Sequence, residues 1–140
     1  PDIPQNTASI IRTCSCLGIM LEIIEPCGFI TTDQKFKRVV MDYYDSKNIH
    51  FYKSPEDFFI SKRNTRIILM TTKSKKSYKE FVFKQNDTVL FGRESSGVPT
   101  SVHKKASHRL IIPMMDKRRS LNLSSSVSIV VSKILNQTNF

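Results

Sequence analysis

The sequence predicts an α/β protein in which a parallel sheet is flanked by helices. Five short apolar runs have the length and composition of buried strands, and they lie at residues 19–24, 49–52, 65–71, 88–91 and 110–112. Helix-like stretches or loops separate them, and this alternation is typical of a parallel sheet covered on both faces. The chain has 140 residues and no repeat or low-complexity tract, so we expect one domain over residues 1–140.

The first helix is predicted to follow an extended, irregular start. Pro4 pushes the residue before it out of helical geometry. Asn6 or Thr7 then caps the helix, and Gly18 ends it in a left-handed turn. Arg12 lies near the start of this helix, where the macrodipole gives a cation little stabilisation. A binding role for Arg12 therefore competes with that of a solvated surface arginine.

Two further helices and a basic loop are predicted in the middle of the chain. Residues 33–40 form a short basic helix. Ser54 caps the next helix, with Pro55 at the first helical position and two acidic residues in the first turn. Residues 73–76 hold three lysines after a strand. They form either a solvated loop or a contact for phosphate groups.

The next loop has the composition of a ligand-binding turn. Gly92 and Gly97 follow a strand directly and permit close approach of the backbone to a ligand. Residues 100–106 form a short helix. The last strand, at residues 110–112, stops at Pro113, which has no N–H for a sheet ladder.

The last helix is predicted from apolar residues that recur at helical spacing, namely Leu123, Val127, Val130, Val131, Ile134 and Leu135. Ser120 and Asn122 stand just before this stripe, where the first helical turn has unpaired N–H groups. They are either helix caps or part of a loop that offers backbone groups and hydroxyls to a ligand. The pattern leaves both interpretations open.

The charge of the chain favours a polyanionic partner. Twenty-two Lys and Arg against twelve Asp and Glu give a formal net charge of +10. Such an excess in one small domain favours RNA or DNA over a membrane surface, the alternative being a protein that is merely basic. No apolar run reaches the length of a membrane span and no leader pattern opens the chain, so we expect a cytoplasmic protein.

The familiar cofactor and catalytic motifs are absent from the sequence. No Gly-x-Gly-x-x-Gly follows a strand, and neither a P-loop nor a nucleophile elbow is present. Cys14, Cys16 and Cys27 lack the spacing of zinc ligands, so we expect reduced thiols and no metal site. What remains is a set of three loops at strand ends, where small residues could surround a small, largely neutral cofactor.

Three ordered motifs resemble those of the SPOUT RNA methyltransferases. They are Asn6-Thr7 with Arg12; Phe91-Gly92-x-Glu94-x-x-Gly97-x-Pro99; and Ile112-Pro113-Met114 with Ser120-Leu121-Asn122-Leu123-Ser124. Further matches resemble the small tRNA wobble-nucleotide ribose 2′-O-methyltransferases of that superfamily. These are Pro1-x-Ile3-Pro4, Ile24-x-Pro26-x-Gly28-Phe29 and Asp33…Arg38…Asp42-Tyr43. The similarity covers nearly the whole chain.

The resemblance implies a fold and an activity. The family fold is a parallel sheet whose C-terminal part is tied in a deep trefoil knot, and the enzymes are homodimers. Because the family places a strand before the Pro-x-Ile-Pro segment, we expect the first strand to be missing before residue 1. The implied reaction transfers a methyl group from S-adenosylmethionine to the ribose 2′-hydroxyl of the wobble cytidine or uridine. The implied partner is the tRNA anticodon stem-loop.

The resemblance also implies site residues. The positions that match the family's cofactor site are Met70, Thr71, Gly92, Gly97, Ile112, Met114, Ser120 and Leu121. Arg12, Ser120 and Asn122 match residues at the reacting centre. Arg12 is either the general base or, because a guanidinium group keeps its proton in proteins, a group that grips a phosphate and stabilises negative charge.

Two other functions stay open at this point. The same chemistry could act on another tRNA site or on ribosomal RNA, or the chain could be a non-catalytic RNA-binding module.

Overall fold

The computed structural model describes residues 1–40, 43–44 and 47–138, without the side chain of Lys35. Helices and strands alternate as the sequence predicts. The chain divides into two compact units, Pro1–Ser61 and Lys62–Phe140, and each is described by itself. A single domain over residues 1–140 stays a prediction.

In its described residues, the first unit has three helices and a two-stranded parallel sheet. Its elements are α1 (Pro4–Cys16), β1 (Leu21–Ile24), α2 (Gln34–Val40), β2 (Ile49–Tyr52) and α3 (Pro55–Ser61). β1 and β2 pair in parallel, with Leu21 opposite Ile49. The predicted cap of α3 is confirmed, because the Asp57 N–H donates to Ser54 Oγ at 3.1 Å and Ser54 Oγ donates to the Asp57 carboxylate at 2.9 Å.

Helix α1 starts earlier than the sequence predicts. Ile3 occupies the N-cap position without a side-chain cap, and Pro4 follows it. Proline fits the first helical turn because its missing N–H would have no partner there in any case. Asn6 and Thr7, the predicted caps, lie buried inside the helix instead, so that prediction was wrong. The predicted left-handed end is confirmed by Gly18, whose φ is 62°.

The core of the first unit packs α1 against α2. Ala8, Ile11, Phe36 and Val40 form its buried cluster, and Tyr43 is among the half-buried residues packed against it. All three cysteines are free thiols, as expected. Burial raises the pKa of the Cys14 thiol to about 11, so this thiol stays protonated at neutral pH.

The second unit, as far as the structure describes it, has a three-stranded parallel sheet and two helices. Its elements are β3 (Ile67–Met70), β4 (Thr88–Phe91), α4 (Thr100–Lys105), β5 (His108–Leu110) and α5 (Leu123–Thr138). The strand order is β4-β3-β5, so β3 is central. Its last residue, Met70, stands opposite Phe91 of β4 and Leu110 of β5.

Two details of the sheets differ from the prediction. The described strands form two parallel sheets rather than the single one that alternation suggests. The last strand lies two residues earlier than predicted, at His108–Leu110, because its pairing with β3 decides where it ends. Beyond it, Ile111 makes an isolated parallel bridge with Ser77 instead of extending the strand along β3.

The core of the second unit lies between β3 and α5. Ile68, Met70, Phe81, Phe83, Leu110 and Val130 form its buried cluster. Helix α5 buries Val127, Val130 and Val131, which belong to the predicted apolar stripe. At the end of α5, the Gln137 side chain accepts from the Phe83 N–H at 3.0 Å and donates to the Phe81 carbonyl at 3.1 Å.

An ion pair fixes the turn before β4. The carboxylate of Asp87, whose side chain is 4% exposed, accepts two hydrogen bonds of 2.6 Å from the Arg66 guanidinium and one of 2.8 Å from the Lys84 N–H.

Within the described ranges, no helix combines the length and apolar character needed to cross a membrane.

We expect Gln137→Ala to lower the free energy of unfolding by about 1–3 kcal/mol, because it leaves two part-buried backbone groups without partners. Asn136→Ala, at the exposed neighbouring position of the same helix, is the matched control and should change stability by less than about 0.5 kcal/mol. Urea unfolding followed by circular dichroism measures both. Equal stability of the two variants would contradict the assigned role of Gln137.

Candidate functional site

Three loops begin side by side at one edge of the sheet in the second unit. β4, β3 and β5 are adjacent and parallel, and their last residues, Phe91, Met70 and Leu110, stand in register. The Thr71 N–H donates to the Leu110 carbonyl at 2.8 Å, which ties the first loop to the third. The carboxyl edge of a parallel sheet is where α/β proteins bind ligands. The structure therefore brings together the starts of the three loops that the sequence singles out.

The loop after β4 is a tight, closed turn. The Arg93 N–H donates to the Gly97 carbonyl at 3.1 Å, and the Gly97 N–H donates back to the Arg93 carbonyl at 2.9 Å. Gly97 has a φ of 69°, which favours glycine. A Cβ on Gly92 would lie 2.6 Å from the Gly97 Cα. The absence of a side chain at Gly92 therefore lets the backbone of Gly97 approach within the same turn, as well as any ligand.

Met70 and Ile112 belong to the core as well as to the loops. Met70 is 8% exposed, and Ile112 packs against the same buried cluster. Their side chains are therefore held by packing. Their backbone groups, at the strand end and in the following loop, are the parts that remain for a ligand. Met114, two residues further on, is half-buried.

The third loop is polar, basic and exposed. Lys117 adopts a φ of 66°, an uncommon value for a residue other than glycine, and the Arg118 N–H donates to the Met115 carbonyl at 3.2 Å. Ser120 and Leu121, both predicted cofactor residues, are exposed at the end of this loop. The structure places them just before α5.

Asn122 is the N-cap of α5. Its Oδ1 accepts from the Ser124 N–H at 2.9 Å, from the Ser125 N–H at 3.3 Å and from Ser124 Oγ at 2.7 Å. Of the two interpretations of this segment, helix capping is confirmed for Asn122.

Arg12 lies in the first unit, on α1. It is exposed, and its guanidinium carbon lies 4.8 Å from the centre of the Tyr43 ring. The ring is itself packed against the buried cluster of that unit. A cation–π contact of this kind orients a guanidinium without neutralising it. Asp42, the neighbour of Tyr43 in the sequence pattern, lies outside the described residues.

The segment after Thr71 is more ordered than the sequence suggests. Ser74 Oγ donates to the Arg109 carbonyl at 2.8 Å, the Ile111 N–H donates to the Lys76 carbonyl at 2.8 Å, and the Tyr78 N–H donates to the Ile111 carbonyl at 3.0 Å. We predicted only a basic loop here. The serines and the tyrosine that interrupt the lysines were the available signal.

Among the residues that the structure describes, no three His, Cys, Asp or Glu side chains are grouped closely enough to hold a metal ion.

Comparisons with known proteins extend over the whole chain. A model of the SpoU rRNA Methylase family matches residues 1–132. The tRNA (cytidine(34)-2'-O)-methyltransferase of Beijerinckia indica is 40% identical over 139 residues, which cover 98% of this chain and 87% of that protein.

Solved structures agree with these matches. One, presented as structural insights into the 2-OH methylation of C/U34 on tRNA, is 33% identical with a TM-score of 0.91 and covers 98% of this chain and 90% of its own. The SpoU methyltransferase AviRb from Streptomyces viridochromogenes, in complex with the cofactor AdoMet, has a TM-score of 0.84 over 98% of this chain and 54% of its own. At 22% identity, this second likeness concerns the fold alone.

We expect Gly92→Ala to lower the free energy of unfolding by about 1–3 kcal/mol, because the new Cβ overlaps backbone atoms of Gly97. Gly97→Asn is the matched control, since its Cβ would meet no atom within 4 Å and asparagine tolerates positive φ. Thermal unfolding measures both variants. A Gly92→Ala protein as stable as Gly97→Asn would show that the turn yields easily and that the close approach does not require glycine.

Proposed function

The chain belongs to the SpoU rRNA Methylase family, and we propose that it methylates the ribose 2′-hydroxyl of nucleotide 34, the wobble position, in tRNA. It is an S-adenosylmethionine-dependent RNA methyltransferase. The observation that carries the choice of target is its 40% identity, over 98% of its length, to a tRNA (cytidine(34)-2'-O)-methyltransferase. The proposed place for the chemistry is the set of three loops at the carboxyl edge of β4, β3 and β5, which are adjacent strands.

The residues present fit S-adenosylmethionine, which when bound supplies a methyl group on a cationic sulfur. Backbone groups at the adjacent ends of β3 and β4 can form hydrogen bonds with an adenosine moiety. The half-buried side chains of Ile112 and Met114 can pack against it. The eight proposed binding residues carry no charge: Met70, Thr71, Gly92, Gly97, Ile112, Met114, Ser120 and Leu121. Residues of this kind bind through shape and backbone hydrogen bonds.

Two features support the proposal that the C-terminal part forms a trefoil knot. The segment between β3 and β4 bonds to the chain just after β5, through Tyr78 and Ile111. The same segment accepts the end of α5, through Gln137. One stretch of chain is thereby held against two later ones, as a threaded arrangement requires. The homodimer and the cytoplasmic location, where tRNA is modified, are proposed from the family resemblance.

Arg12 is the proposed electrostatic group of the reaction. A guanidinium group is cationic, so Arg12 is proposed to stabilise negative charge that develops on the 2′-oxygen or to grip a neighbouring phosphate. The Tyr43 ring, 4.8 Å away, supports this role because it restricts the long side chain before RNA binds. Ser120 and Asn122 are proposed to lie beside the reacting centre, with Asn122 also holding the helix cap.

Methylation of tRNA is tested by transfer of labelled methyl from S-adenosylmethionine to bulk tRNA, with the modified nucleotide mapped. We expect label on nucleotide 34, and none when that nucleotide carries a 2′-deoxyribose, because the acceptor oxygen is then absent. Label at another position or in ribosomal RNA would keep the chemistry and overturn the target. Absence of both label and cofactor binding would favour a non-catalytic RNA-binding module.

We expect Arg12→Lys to lose most methyl-transfer activity, because an ammonium group lacks the planar fork of guanidinium.

Tyr43→Leu should lower kcat/KM roughly two- to fivefold, the equivalent of about 0.5–1 kcal/mol for an exposed cation–π contact. Tyr43→Phe keeps the ring and should retain near wild-type activity, and Tyr44→Leu at the exposed neighbouring position is the control. In the Arg12→Ala background, which removes the cation, Tyr43→Leu should have no further effect. Near wild-type turnover of Arg12→Lys would refute the role of Arg12.

A further inference from the structure

We propose that two basic segments of the second unit, residues 72–79 and 103–111, form one surface that binds the phosphate backbone of a tRNA stem, apart from the methyl-transfer loops. This inference rests on the proposed tRNA substrate. The basic surface is defined by Lys73, Lys75, Lys76, Lys79, Lys104, Lys105 and Arg109.

The charge of these segments is entirely of one sign. They contain seven of the 22 Lys and Arg residues of the chain and none of its 12 Asp and Glu residues. All seven side chains are exposed. A solvated surface in a protein of ordinary stability interleaves both signs, because like charges that are crowded together destabilise the fold. A one-sided patch therefore indicates an anionic partner.

Hydrogen bonds hold the two segments together. Ser74 Oγ donates to the Arg109 carbonyl at 2.8 Å, and the Ile111 N–H donates to the Lys76 carbonyl at 2.8 Å. The Arg109 Nε–H donates to the carbonyl of His103 at 2.7 Å, which joins the strand to the end of α4. The lysine loop is thus fixed in place before any ligand binds, and little backbone entropy is lost on binding.

Positive charges from both segments act at the end of α4. The pKa of His103 is lowered from its usual value by burial and by the positive charges of Lys73 and Arg109. Lys73 of the loop and Arg109 of the strand are therefore close enough to the end of α4 for their fields to combine there. The two segments thus present their charge to a polyanion together.

The surroundings favour a nucleic-acid backbone over a lipid surface. Among the described residues, the large exposed apolar side chains all lie outside the two segments. Tyr78, the aromatic residue of the lysine loop, packs against the core and does not offer a free stacking face. Membrane surfaces recruit apolar side chains together with basic ones, and single-stranded bases need aromatic platforms. A duplex stem needs only cations at its phosphates.

The test compares two triple variants with the same reduction in charge. Lys73→Gln/Lys75→Gln/Lys76→Gln removes three cations of the basic surface. Lys53→Gln/Arg63→Gln/Lys84→Gln removes three exposed cations elsewhere. The Kd of unmodified tRNA is measured for each full-length protein over a range of salt concentrations without S-adenosylmethionine, and circular dichroism verifies folding.

We expect the Kd of the first variant to rise roughly tenfold or more at about 0.15 M salt, and its salt slope to fall by about 0.9 for each phosphate that the variant no longer neutralises. The second variant should stay within about twofold of wild type. A duplex RNA without an anticodon loop should show the same weakening, because phosphate recognition is independent of sequence. KM for S-adenosylmethionine should not change.

Three results would overturn the inference. The first is an unchanged Kd and salt slope for the first variant, and the second is equal weakening of both variants. The third comes from a parallel assay with anionic phospholipid vesicles, and it is weaker vesicle binding by the first variant with an unchanged Kd for tRNA. Failure of the proposed function is distinguishable, because it appears as absent methyl transfer at nucleotide 34 whatever the binding constants are. Weakened tRNA binding without methyl transfer by the wild-type protein would leave the basic surface supported and the activity refuted.

Discussion

The central position of β3 is the constraint on which the second unit depends. Ile68 and Leu69 are fully buried, and the strand pairs in parallel with β4 on one side and β5 on the other. Both the buried side chains of β3 and its hydrogen bonds to two neighbouring strands fix its register. A shift by one residue would move every apolar side chain of the strand to the opposite face of the sheet. The three strands therefore end together, and three loops far apart in sequence begin side by side. The candidate site is a consequence of this register.

The segment between β3 and β4 bonds to the outer edge of the same sheet, along β5 and the residue after it. After Thr71 it crosses to the far side of β5 and bonds there through Ser74 and Tyr78. One end of the segment thus belongs to the proposed cofactor site, and its middle carries the lysines of the basic surface. Fixing Thr71 against Leu110 and Lys76 against Ile111 fixes both regions together.

Sequence patterns correctly predicted the elements whose bounds are set by neighbouring residues. They failed to predict features that depend on contacts between residues far apart in the chain. Strand β4 and the start of α3 match the prediction, because Ser54 and Pro55 define that helix start by themselves. The sequence predicts an extended start up to a cap at Asn6 or Thr7, whereas Pro4 already opens α1. The end of β5 depends on pairing with β3, and the need for Gly92 depends on Gly97 across a turn, neither of which a pattern reveals. The roles of the site residues came from the family resemblance.

The chain divides its chemistry between neutral and charged surfaces. The proposed cofactor residues carry no formal charge, whereas seven cations are gathered in the basic surface. RNA phosphates would be held weakly by the uncharged cofactor residues, and the exposed lysines of the basic surface supply the cations that phosphates need. The segment after Thr71 links the two tasks, because Thr71 bonds to Leu110 at the cofactor edge and Lys76 bonds to Ile111 at the basic surface. Added salt therefore weakens the capture of RNA through the basic surface more than it weakens the backbone and shape contacts proposed for the donor.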